Sequence, residues 1–94
     1  MQKVIHKHLL NLGYTILALP PAGLSLRKIG LQRGQIHAWV ERTAENEPHT
    51  AQLHLQVIPT GQPFITQEGF NYLDTVIDDE RGAVWHIYGK MTYS

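Results

Sequence analysis

The chain has 94 residues, enough for one domain (1–94) around one core. An apolar fraction of 43% excludes wholesale disorder, and the lack of cysteine excludes disulfide scaffolds, thiol nucleophiles and iron–sulfur ligation. Eight Lys/Arg balance eight Asp/Glu, which argues against a dedicated nucleic-acid binder and against a polybasic membrane-surface protein.

The opening segment, Met1 to His8, carries Lys and His where a signal peptide needs an unbroken apolar run. The longest apolar stretch, Ile16 to Pro21, is far short of the roughly 20 residues that span a bilayer. Both point to a cytoplasmic protein. Val4 to Leu10 reads as a first strand, and Asn11-Leu12-Gly13 as a short connection. Tyr14 to Leu19 reads as a second strand, stopped by Pro20-Pro21. Leu24 to Gln32 and Gln35 to Arg42 read as a hairpin around Arg33-Gly34, with Gly30 marking a bulge or a close backbone approach.

Thr50 to Ile58 alternates cleanly. Ala51, Leu53, Leu55 and Val57 share one face; Gln52, His54 and Gln56 share the other. That is a half-buried antiparallel strand. Pro59 to Gly69 is a long Gly/Pro-marked loop, with room for one short helical turn around Thr66–Tyr72. Leu73 to Ile77 and Ala83 to Tyr88 form a last hairpin across Asp78–Gly82. Six to seven such strands predict an all-β antiparallel sandwich or a partly open barrel. Its exposed edges favour pairing with a second copy, so a homo-oligomer is expected.

Catalysis finds little support. Ser25 and Ser94 lack a nucleophile elbow, Asp78-Asp79-Glu80 reads as a solvated turn, and no phosphate-binding glycine loop occurs. Six histidines are conspicuous. His6 and His8 fall on one strand face and could join His37, His54 or His86 around a metal. They equally suit the solvated face of a sheet, and the expectation is no metal and no cofactor.

Trp39 lies opposite Ile36, Ala38 and Val40, beside His37; Trp85 shares a face with Ala83 and Ile87. Both indoles read either as core or as binding surface. Thr60-Gly61-Gln62 offers a hydroxyl and free amides, and Arg27, Lys28, Arg33 and Arg42 could meet phosphates. The candidate ligand-binding set is therefore Trp39, Trp85, Thr60, Gly61, Gln62, His37 and Arg33, expected to converge on one site.

Four segments also carry a resemblance. Leu19 to Val40, with its Pro-Pro-Ala-Gly, its Gln-Arg-Gly turn and its Trp-bearing strand, is similar to the front half of a family of short phage and prophage proteins of unassigned function. Ile58-Pro-Thr-Gly-Gln-Pro63, Tyr72-Leu-Asp-Thr-Val76 and Val84-Trp-His-Ile-Tyr88 follow in the family's order, so the likeness covers about residues 3–88. Pro59 and Gln62 depart from it, where Gly and His are common. The resemblance implies a phage origin, hence the cytoplasm of an infected bacterial host, and an all-β fold. By analogy with small phage proteins, the expected role is non-catalytic counter-defence that sequesters a small nucleotide immune signal. The alternatives are an inhibitor of a host defence protein complex, or a structural virion accessory.

Overall fold

The computed structural model describes residues 1–94 and contains seven strands: β1 (Lys3–Leu9), β2 (Gly13–Leu19), β3 (Ser25–Gln32), β4 (Gln35–Thr43), β5 (Ala51–Pro59), β6 (Asn71–Asp78) and β7 (Ala83–Tyr93). They form two antiparallel sheets, ordered β1-β4-β3 and β2-β5-β7-β6, with β3 lying against β6 between the layers. No helix is long and apolar enough to cross a membrane.

Alternation decides which way each strand faces. Leu53, Leu55 and Val57 of β5 point inward with Ile36, Ala38 and Val40 of β4, and Leu10, Leu19, Ile29, Val76 and Ile87 complete the cluster between the sheets. Leu55, Ala38, Val40 and Ile87 are fully buried. Each large aliphatic side chain so buried contributes about 1.5–3 kcal/mol relative to exposure. The one polar intruder on β2, Thr15, is satisfied locally: its hydroxyl accepts the Asn11 N–H at 3.0 Å. That bond also closes the short β1–β2 connection.

The β3–β4 hairpin has two turn residues, Arg33 and Gly34, with φ of 55° and 74°. Positive φ at both positions is the mirror-image turn that matches strand twist. Arg33 is thus one of the rarer L-residues held in the left-handed region.

Three local details refine the sequence reading. The register shift in β3 falls at Arg27, between Leu26 and Lys28, whereas Gly30 keeps its regular partner His37. Gly30 instead gives room to side chains: a Cβ there would lie 3.3 Å from Lys28 Cε and 3.8 Å from Trp39 Cζ3. The room for a helical turn around Thr66–Tyr72 is not used. Gly69 has a φ of 80° and Tyr72 already belongs to β6, so only a turn remains, with the Phe70 N–H bonding to the Gln67 carbonyl at 3.2 Å. Phe70 anchors this loop on the outer face of the four-stranded sheet. It is 8% exposed, stacks near Tyr14 and His54, and lies under the Lys90 ammonium at 5.2 Å. Finally, β7 runs five residues beyond Tyr88, through Gly89 to Tyr93.

Candidate functional site

One end of the sandwich collects four connections: the β1–β2 link, the β3–β4 hairpin, the start of the β5–β6 loop and the β6–β7 turn. A cavity of about 370 Å³ opens there, the only one in the molecule. Leu10, Ile36 and Trp85 line it, with Leu12, Arg81 and Gln35 contributing as well. The β1–β4 ladder extends into this end through the Leu10 N–H, which bonds to the Ile36 carbonyl at 2.9 Å. Trp85 is aimed inward by alternation with Ile87 and packs on the core.

Arg81 is the cation at the cavity. Its guanidinium donates to the Gly34 carbonyl at 3.0 Å and lies 3.8 Å from the Asp78 carboxylate, while its side chain stays 64% exposed. The other Asp78 oxygen accepts the Arg81 backbone N–H at 3.3 Å. A guanidinium has five N–H donors, so donors remain for a ligand. An indole and a guanidinium in one apolar concavity suit a flat ring that carries an anionic group.

The seven candidate residues from sequence do not converge; they divide between places. Trp85 lines the cavity, and Arg33 tips the hairpin whose Gly34 takes the Arg81 bond. Thr60 joins the same end through its N–H, which bonds to the Val84 carbonyl at 2.9 Å. Its side chain goes elsewhere. The hydroxyl meets His86 Nε2 at 2.6 Å on the outer face of the four-stranded sheet. His86 Nδ1 meets the Thr75 hydroxyl at 3.0 Å, and that hydroxyl meets Tyr72 OH at 2.6 Å. This chain contains no carboxylate to orient the imidazole, and its members satisfy one another. Gly61 and Gln62 are exposed in the turn that follows, where the Gln62 N–H bonds to the Pro59 carbonyl at 3.2 Å.

Trp39 and His37 stand apart, on the outer face of the three-stranded sheet with ring centroids 5.9 Å apart. A ligand gripping Trp39 and Trp85 together is therefore not what the fold builds. The two indoles face opposite sides of different sheets, because Ala38 and Val40 claim the inward face of β4 while Ile87 claims that of β7. His37 is 8% exposed, and its Nδ1 lies 3.1 Å from the Gln35 carbonyl.

The histidines likewise scatter. His6 and His8 share the inner side of β1, His37 the opposite side of the same sheet, and His54 and His86 the outer face of the other; no three His, Asp or Glu side chains are grouped to hold a metal. His8 is the perturbed one. Burial, then the neighbouring His6 and Arg42, hold its pKa below the ordinary 6.5.

Sequence reasoning missed Arg81 and the leucines of the cavity. Arg81 follows Asp-Asp-Glu in a turn, where it reads as solvent-facing. Only the approach of two hairpins from different sheets places it at a cavity mouth.

Residues 1–93 match a domain of unknown function, DUF7352, and the chain belongs to that family. No curated protein matches the chain. No solved structure does either.

Proposed function

We propose that this is a non-catalytic binding protein whose cavity holds a nucleotide-class ligand, the base against Trp85 and its phosphate toward Arg81. The observation that carries the reading is the presence of both side chains in one apolar cavity. Its volume of about 370 Å³ is at the small end for ligand sites, so it takes one nucleoside unit. A cyclic dinucleotide or an ADP-ribose derivative would extend beyond it, past the Arg33 hairpin tip and onto a neighbouring surface. Sequestration of such a signal by a phage protein is the role this reading favours, on the strength of the sequence resemblance.

Self-association belongs to the same reading. Leu9, Leu12, Tyr14 and Ile16 are 48%, 66%, 42% and 51% exposed; all four belong to the edge strands β1 and β2 or the link between them, and Leu9 and Leu12 line the cavity. A second copy placed on those edges would cover these side chains and enlarge the site. Light scattering that gives a monomer mass over a wide concentration range rejects this part.

The test of the binding reading is thermal stability against a panel of mono- and dinucleotides, repeated on Arg81→Ala and Trp85→Phe. A ligand at 100 times its Kd stabilises the fold by about 2.7 kcal/mol. A shift that both substitutions diminish supports the assignment. No shift with any nucleotide, or one indifferent to both substitutions, overturns it.

A further inference from the structure

The formal neutrality of the chain averages over two unlike regions. The outer face of the β1-β4-β3 sheet carries Lys3, Lys7, Arg27 and Lys28 and a single carboxylate, Glu41. The other seven carboxylates lie off this face: in the β4–β5 loop, in the β5–β6 loop, and along β6 and its following turn. Glu41 is already engaged. Arg27 Nη2 lies 3.0 Å and Lys3 Nζ 3.3 Å from its Oε2, and these bonds, Arg27's first, hold the carboxyl below the usual carboxylate range.

Lys7 and Lys28 pair with no carboxylate. In register they are the two cross-strand neighbours of Trp39, one on each side. Lys7 bonds to Gln32 on the far strand, so its ammonium crosses β4 above the His37–Trp39 row. Beside that row Gly30 puts no side chain over the indole, where a Cβ would come within 3.8 Å of Cζ3. The result is a flat ring with two cations that pair with no carboxylate close beside it, on a face with a net excess of three positive charges.

We propose that this face binds single-stranded nucleic acid, with a base on Trp39 and adjacent phosphates at Lys7 and Lys28. The surface is an open sheet and the molecule's one cavity lies elsewhere, so the occupant gains by repetition along a polymer and not by enclosure. A duplex hides its base faces, whereas a single strand offers one at every step. An acidic polypeptide would satisfy the lysines but leave the indole without a planar partner. This site is separate from the proposed nucleotide cavity, and either can fail without the other.

The probe is a fluorescein-labelled 16-residue oligo(dT), followed by anisotropy between 50 and 200 mM salt. A duplex of equal length and poly-glutamate serve as competitors. Single strand should bind in preference to both. The exposed double variant Lys7→Gln/Lys28→Gln should lower the magnitude of the log–log salt slope by about 1.4, from two lost phosphate contacts. Trp39→Leu should weaken binding by about tenfold at every salt concentration. Should Trp39→Leu fail to fold, the variant Trp85→Phe leaves Trp39 as the sole indole, and oligo(dT) should quench its fluorescence. The proposal is overturned by the absence of binding at 50 mM salt, by duplex or poly-glutamate competing as well as the single strand, by an unchanged salt slope, or by an indole that the oligonucleotide does not quench.

Discussion

The Arg81 guanidinium donates to the Gly34 carbonyl at 3.0 Å, joining the β6–β7 turn of one sheet to the β3–β4 hairpin of the other. Few polar contacts cross between the two layers; what holds them is the apolar cluster. This bond closes one side of the cavity mouth, so a single side chain has two roles: it spans the layers and presents a cation. A Cβ on Gly34 would clash with the Arg81 guanidinium, which shows how closely the two hairpins meet.

Arg81→Ala should therefore separate binding from stability. The side chain is 64% exposed, so its loss should cost under about 1 kcal/mol of folding free energy. Nucleotide affinity should fall at least about tenfold, since a charge-assisted bond is worth about 1.5–3 kcal/mol. Arg81→Lys should restore only part of the affinity, because an ammonium lacks the planar fork. Calorimetry beside urea denaturation reads both quantities. A large stability loss with unchanged affinity would make Arg81 purely a strut.

Core substitutions test the register of β5. Leu53 is 4% exposed and Leu55 is fully buried, both within the cluster shared by the two sheets. Leu→Ala at either position should cost about 2–5 kcal/mol, with Leu55 at the upper end because its neighbours enclose it on all sides. Gln52→Ala, on the exposed face of the same strand, should stay within about 0.5 kcal/mol. Equal effects at positions 52 and 53 would contradict the alternation.

Period-two patterning made the strands and their inward faces legible, because each strand has one apolar side that must be buried. The alternation at Ala51–Val57 and at Ile36–Val40 predicted the core, but it left each indole readable as core or as binding surface; the stacked sheets turn Trp39 outward and Trp85 inward. What alternation does not encode is which strands become neighbours. Lys7, Trp39 and Lys28 are far apart in sequence and align only through the order β1-β4-β3. The same gap hides the cavity, built from three connections that meet only when the sheets stack. The last strand, expected over Ala83 to Tyr88, runs on to Tyr93, with Gly89 in its interior where a Cβ would crowd β5.

Gly89→Ala checks that packing. An added Cβ would lie 2.8 Å from the His54 carbonyl oxygen, 2.8 Å from Leu73 Cδ1 and 3.0 Å from Leu55 Cδ2. Leucine ends can move but the carbonyl belongs to the paired strand. The substitution should thus cost about 1–3 kcal/mol. Gly30→Ala is the control: its closest contact is the flexible end of Lys28 at 3.3 Å, so it should change stability by no more than about 0.5 kcal/mol. If both alanines are equally tolerated in urea denaturation, β7 does not approach β5 as closely as described.

His8 should make the fold sensitive to mild acid. Its ring lies on the inner side of β1, opposite Ala38, and its buried Nε2 has no hydrogen-bond partner. Burial is the main cause of its lowered pKa, with the positive charges of His6 and Arg42 adding to it. The folded state therefore resists protonation more than the unfolded chain, whose His titrates near 6.5. Above that pH both states carry a neutral ring and the full stability is present. As pH falls below 6.5 the unfolded chain takes up the proton first, and stability declines until the folded pKa is passed. His8→Gln keeps a polar side chain of similar length but cannot titrate, so it should flatten this limb of the stability curve. Chemical denaturation of the wild type and of His8→Gln at a series of pH values from 7.5 down to about 5 measures the difference, over the range where an unperturbed histidine titrates. Parallel curves for the two proteins would show that the acid sensitivity arises at another group.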